Sequence, residues 1–179
     1  AEHEYAFERT FDFHPTDNPV RLVFEGLDTL CTVYLNGQKI ADTDNMHVVY
    51  SFDVTKYLKT GENTLKIVCH SVPAYIKSQN KQKSLFGAYD CMAGYPHVRK
   101  AHCMMGWDWG PRLPDAGIWR DIYLLEQDSA RICDFHVTQR HEKGNVFTTV
   151  EQCVADAPER ITEASAKNGG FVYRNLDKN

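Results

Sequence analysis

Leu30-Cys31-Thr32-Val33-Tyr34-Leu35-Asn36-Gly37 decides the fold class of this chain: a β-rich run closes on Asn-Gly, and Lys39-Ile40-Ala41 resumes beyond it. Asn and Gly both tolerate the positive φ that a type I′ turn demands, so the stretch predicts a tight β-hairpin. Period-two patterning continues on either side. Upstream, Tyr5, Phe7, Phe11 and Phe13 stand beside charged neighbours as in a half-buried strand. Asp17-Asn18-Pro19 is a turn, Val20-Arg21-Leu22-Val23-Phe24 a second strand, and Gly26-Leu27-Asp28 its break. Downstream, residues 42–45 read as a polar turn, 48–54 as a strand, 55–58 as a single helical turn, and 61–63 as another reversal before a strand over 64–69. Short β segments with turn chemistry between them predict an all-β, antiparallel sandwich.

The pattern changes at Val72-Pro73. Residues 74–83 are polar helix formers behind a proline suited to a first helical turn, which predicts a short surface helix. From Leu85 to Ala116 no period is sustained, and Gly87, Gly94, Gly106, Gly110, Pro96, Pro111 and Pro114 interrupt the run. An excursion of this length inside a compact domain is usually functional. It carries Gly106-Trp107-Asp108-Trp109-Gly110-Pro111, and with Trp119 these are all three tryptophans of the chain. Indole faces stack on sugar C–H bonds and a carboxylate accepts from sugar hydroxyls, so Trp107, Asp108 and Trp109 are candidates for carbohydrate contact. Trp119, leading into a strand over 118–125, is read as a packing residue. Residues 132–138 and 145–150 flank Glu142-Lys143-Gly144 as a second hairpin. Beyond Ala155 the chain turns polar, with only Phe171-Val172-Tyr173 resembling a strand, so 1–129 is taken as one domain and 130–179 as an incomplete second β module or appendage.

Composition excludes several classes. The 179 residues are 42% hydrophobic and 25% charged, as in an ordinary globular protein, and the net charge of -4 with no basic block argues against a nucleic-acid partner. No apolar run reaches a bilayer span, so no membrane partner is expected. The first residues hold no signal-peptide core and already alternate like a strand, which suggests a processed fragment; with six scattered cysteines this points to the cytoplasm.

Other chemistries find less support. Asp90, Asp108 and Asp115 share the excursion, but nothing in their spacing singles out the carboxylate pair a glycosidase requires, so no residue is assigned a catalytic role. Ser84 with His97 or His102 lacks a nucleophile elbow. Cys91, His97, His102 and Cys103 match no zinc spacing, so no metal is expected; Cys31, Cys69 and Cys133 read as small buried hydrophobes. Gly37 and Gly61 are turn glycines rather than phosphate cradles, and no cofactor is called for. Arg99-Lys100 reads as a solvated pair, with an arginine available to orient Asp108.

Phe24-Glu25-Gly26-Leu27-Asp28-Thr29, Leu35-Asn36-Gly37, Thr43-Asp44-Asn45-Met46, Tyr50-Ser51-Phe52-Asp53-Val54, Val98-Arg99-Lys100, the Trp-Asp-Trp-Gly-Pro run and Gly117-Ile118-Trp119 together resemble the N-terminal part of glycoside hydrolase family 2 β-mannosidases over residues 5 to 140. The resemblance implies a jelly-roll, galactose-binding-like domain followed by the start of an immunoglobulin-like sandwich. It further implies that the parent enzyme's two catalytic glutamates lie in a (β/α)8 barrel outside these residues, so that the fragment alone is inactive. By the same resemblance Trp107 and Asp108 would line the subsite for a terminal non-reducing mannose of a mannoside substrate, with Trp109 as a packing anchor for the loop; Arg99, from its own place in the run, is taken as a second loop support. The alternative from the residues themselves is a self-sufficient carbohydrate-binding module with Trp107 and Trp109 as its platform.

Overall fold

The structure is a computed structural model and describes residues 3–127 and 131–155. It divides at Glu126/Gln127 into two units. In the first, strands β1 (Tyr5–Phe13), β7 (Gly61–Cys69), β4 (Cys31–Leu35) and β5 (Gln38–Thr43) form one antiparallel sheet in the order β1-β7-β4-β5. Strands β6 (Tyr50–Asp53), β2 (Val20–Phe24) and β9 (Ile122–Glu126) form a second, ordered β6-β2-β9, and β3 (Leu27–Asp28) pairs with β8 (Gly117–Ile118). One helix, α1 (Val72–Gln82), follows β7. The arrangement is mostly strand with one helix and no closed barrel, as an all-β, galactose-binding-like sandwich requires.

The predicted hairpin forms at β4–β5, with Leu35 opposite Gln38, Asn36 at φ 52° and Gly37 at φ 79°. Both central residues thus take the left-handed conformation that the Asn-Gly pair tolerates. Along β7 the inward positions Asn63, Ile67 and Cys69 are buried while Glu62 and Lys66 are exposed. Of these, Ile67 and Cys69 join Val20, Leu22, Phe24, Leu27, Cys31, Val33, Leu35 and Val54 to build the core between the sheets. Each fully buried aliphatic or aromatic side chain contributes roughly 1.5–3 kcal/mol before chain entropy is counted, and this cluster holds the sandwich together.

Several sequence expectations are corrected. The strand expected over 48–54 starts only at Tyr50, because the Asn45 carboxamide oxygen accepts from the His47 N–H at 2.9 Å and bends the chain there. Residues 61–63, expected as a turn, open β7, and Asp42 and Thr43 extend β5. The single strand expected over 118–125 is split: β8 faces β3, β9 faces β2, and the break at residues 119–121 lies opposite the Glu25-Gly26 break between β2 and β3. There the Trp119 N–H donates to the Gly26 carbonyl at 3.2 Å, and a Cβ on Gly26 would lie 2.5 Å from the indole nitrogen. Glycine is what lets that ring pack.

Helix α1 begins where the proline indicates, with the Ser71 hydroxyl accepting from the Ala74 N–H at 3.2 Å as an N-cap. It is not purely a surface helix, since Val72 and Ile76 are buried. The excursion that follows is not structureless either. Two short 3-10 turns, Tyr95–His97 and His102–Met105, fold it back, and Val98 and Met105 join Val72 and Ile76 in a satellite core flanked by Leu30, Met92 and Tyr95.

In the second unit the described residues form one antiparallel hairpin, β10 (Arg131–Glu142) and β11 (Asn145–Ala155), turning at Lys143 (φ 48°) and Gly144 (φ 82°). Ile132, Phe135, Val137, Val146 and Phe147 are exposed on it, as a two-stranded ribbon must leave them. The Cys133 side chain and the expected Phe171-Val172-Tyr173 strand lie outside what is described.

Candidate functional site

The run 106–111 forms a tight projection. The Trp107 N–H donates to the Gly110 carbonyl at 3.3 Å and the Gly110 N–H returns to the Trp107 carbonyl at 3.2 Å, which places Asp108 and Trp109 at the tip. Asp108 is exposed, and Trp107 and Trp109 are 52% and 84% exposed. Trp109, expected as a packing support, therefore packs against little of this domain.

The bracing comes from residues to which the sequence reading gave no such role. The Arg112 guanidinium donates through Nε (3.1 Å) and Nη2 (2.9 Å) to the Asp90 carbonyl, joining the two arms of the excursion. The Cys91 thiol donates to the Gly106 carbonyl at 3.0 Å, and the Met92 N–H to the Met105 carbonyl at 2.9 Å. Burial pushes the Cys91 thiol up from its ordinary value, so it stays a neutral donor. Gly106 sits at φ 106°, where a Cβ would meet Arg112 Cγ at 2.7 Å and the Asp90 carbonyl oxygen at 3.2 Å. Only glycine lets the chain pass between those groups.

Arg99 and Lys100 part company. Arg99 is exposed, and among the described residues no ion pair joins it to Asp108; it serves through its backbone, bridging Asn45 and accepting the Met46 N–H at 2.9 Å. Lys100, read as solvated, is buried and ion-paired with Asp28 of β3. A charge 72 positions away in sequence, with no periodicity linking the two, could not have been found from the sequence.

The loop histidines and cysteines are separately engaged. A ring nitrogen of His97 meets the Lys83 carbonyl at 2.8 Å, His102 packs edge-on against Tyr95 with centroids 4.8 Å apart, and Cys103 is exposed. Among the described residues no group of three or more His, Cys, Asp or Glu side chains is placed to hold a metal. Beside the projection, α1 and the loop enclose an open cleft of about 600 Å³ whose lining includes Ala74, Ile76, Lys77, Met92 and Arg112. The tip can offer indole faces to a ring and a carboxylate to hydroxyl donors.

A family model described as "Glycosyl hydrolase 2 galactose-binding domain-like" matches residues 1–120. The chain belongs to glycosyl hydrolase family 2. It is similar to the N-terminal region of β-mannosidases of that family: beta-mannosidase B of Emericella nidulans is 37% identical over 145 residues, and the beta-mannosidase of Mus musculus 39% identical over 121. These alignments cover 76% and 63% of this chain but only 17% and 14% of the two enzymes. The crystal structure of the β-D-mannosidase from Dictyoglomus thermophilum superposes with a TM-score of 0.74 at 33% identity, covering 82% of this chain and 18% of that one. The family 2 chain thus spans under a quarter of the length of these relatives, and the galactose-binding-like domain accounts for most of what it contains.

Proposed function

We propose that this family 2 domain is the non-catalytic N-terminal part of a β-mannosidase and that its 106–111 projection forms one wall of the pocket for a terminal, non-reducing β-D-mannose residue. In this reading Asp108 accepts hydrogen bonds from sugar hydroxyls and Trp107 stacks against the ring. A (β/α)8 barrel elsewhere in the same polypeptide supplies the two catalytic carboxylates. The unit from Gln127 onward is the start of an immunoglobulin-like sandwich. The observation that carries the proposal is the pairing of exposed Trp107 and Asp108 side chains with a firmly tied backbone beneath them. A second reading, a self-sufficient sugar-binding module, draws on the exposure of both Trp107 and Trp109.

Titrating the 179-residue chain with mannose and a mannobiose, observed at the indole N–H signals, separates the two readings. Half a pocket gives at best millimolar binding, about -4 kcal/mol; a preformed module saturates well below that. In the complete enzyme, Asp108→Ala should lower kcat/KM for an aryl β-mannoside by roughly 10- to 100-fold, the equivalent of about 1.5–3 kcal/mol for a hydrogen bond to a charged group. The same substitution should leave the Tm of the isolated chain within about 1 °C, since exposed substitutions rarely matter to stability. Unfolding by Asp108→Ala, or an unaltered kcat/KM, would defeat the assignment.

A further inference from the structure

We propose that Lys100 and Asp28 form a buried latch that positions the 107–110 tip, and that Lys100 is a positioning residue for sugar contact; the inference rests on the function proposed above for that tip. The Lys100 side chain is 0% exposed and the Asp28 side chain 5%. The ammonium group donates to Asp28 Oδ2 and, at 2.8 Å, to the Asp115 carbonyl, while Asp28 Oδ1 accepts from the Thr29 hydroxyl. Asp28 lies on β3 opposite Gly117 of β8. One ammonium therefore joins the sandwich to both ends of the 100–115 segment, and that segment contains the whole projection. The chain around Lys100 is seated independently: the Arg99 carbonyl accepts from the Met46 N–H, and the Ala101 N–H donates to Met46 Sδ at 3.0 Å.

Burying an ion pair is a poor route to stability, because desolvation offsets the attraction and apolar side chains of similar volume usually do as well. What a lysine adds over a leucine is direction. Its donors fix where the Asp115 carbonyl lies relative to β3, and so where the segment closes. A tip built from Trp107 and Asp108 needs that closure to hold its indole and carboxylate in one geometry.

Hydrogen exchange on the 179-residue chain tests the latch. Lys100→Met alone leaves the Asp28 carboxylate buried without its cation, so the informative variant is the double replacement Asp28→Asn with Lys100→Met, which removes both charges. The reporters are the Trp107 and Gly110 amides, which bond each other's carbonyls, and the Met92 amide, which bonds Met105. The controls are the Asn36 and Val54 amides of the sandwich, bonded to Thr64 and Val20. The latch predicts at least tenfold faster exchange at the three loop amides with the two controls unchanged. Equal acceleration at all five would make the pair an ordinary core element, and no acceleration at the loop would show that the tip is set by other contacts; either result overturns the proposal. Introduced into the complete enzyme, the double replacement should lower kcat/KM on an aryl β-mannoside at least fivefold. A freed loop with unaltered kcat/KM would sink the sugar-contact reading of the tip and the positioning role with it.

Discussion

Replacing Asn63 by alanine probes the framework that carries the loop. Asn63 is fully buried at the start of β7. Its Oδ1 accepts from the Lys59 N–H at 3.0 Å and from Asn36 Nδ2 at 2.7 Å; its Nδ2 donates to the Lys59 and Gly61 carbonyls, each at 2.8 Å. The carboxamide thus uses both acceptor sites and both donors. At about 0.5–1.5 kcal/mol net per bond, losing four gives roughly 2–6 kcal/mol. Lys59 is exposed, so water can recover its backbone groups, which places the expected cost near 3 kcal/mol. Asn63→Asp should be at least as damaging at neutral pH, since two donors become acceptors facing carbonyl oxygens. Urea denaturation followed by far-UV circular dichroism is the suitable assay, because the tryptophans sit outside the main core and report it poorly. Because Asn36 and Asn63 share a bond, the double alanine variant should cost less than the sum of the singles. A loss below 1 kcal/mol for Asn63→Ala would mean that water replaces the carboxamide and that the network does not determine the fold.

Other predictions address the loop, acid sensitivity and the thiols. Gly94 has φ 85°, and a Cβ there would lie 2.6 Å from the Ile76 carbonyl oxygen and 2.8 Å from Asn80 Cβ. Gly94→Ala should therefore cost about 2–4 kcal/mol in strain and overpacking against α1, and a Tm within 2 °C of wild type would refute this. Asp53 accepts from the Thr55 N–H at 3.0 Å and the Thr55 hydroxyl at 2.7 Å, and these bonds hold its carboxyl below the ordinary value of 3.8. The unfolded chain protonates Asp53 first as pH falls. Its contribution is thus complete above the ordinary value and lost as pH drops through the lowered native one. Asp53→Ala should be less stable than wild type at pH 7, and in urea titrations the difference should shrink as acid protonates the native carboxyl; a constant difference would contradict the mechanism. With Cys133 and Cys153 replaced by serine, a thiol reagent should label exposed Cys103 at least tenfold faster than buried Cys31, Cys69 or Cys91. Both thiols are free, and the Cys31 thiol donates a hydrogen bond to Cys69 Sγ 3.4 Å away, which raises the pKa of Cys31 and lowers that of Cys69. Uniform labelling rates would show that the interior opens readily.

What the sequence discloses follows from the range of the interactions. The Asn36-Gly37 turn was legible because its cause is local: two residues must take positive φ, and the φ values of 52° and 79° are those of residues that can. The start of α1 was legible for the same reason. The excursion was visible as an exception, yet its internal order was not, because Val98, Met105, Met92 and Tyr95 converge from short turns with no period. Lys100 was misread because a charge pair next to an arginine looks solvated, and only the fold brings Asp28 to it. The tip composition was equally plain, but its brace was hidden, since Arg112 acts on a backbone carbonyl that any residue could supply.

The contrast between an ordered neck and an uncovered tip bears on the proposed function. Phe86, Tyr89 and Trp109 are 99%, 93% and 84% exposed on one excursion, whereas the sandwich buries Phe24 completely. Covering side chains of this size would be worth roughly 1.5–3 kcal/mol each, so a loop folded only for its own stability would turn them inward. Instead the excursion is tied through its backbone, by Arg112 to the Asp90 carbonyl and by Lys100 to the Asp115 carbonyl, with close passages at Gly94 and Gly106, and the rings stand free. Most of the ordering entropy of the projection is therefore spent when the domain folds. A surface that meets it afterwards has little more than side-chain freedom to restrict. For the wall proposed above, shared between a sugar and the rest of an enzyme, that allocation would let contact energy appear as affinity and orientation rather than as loop ordering.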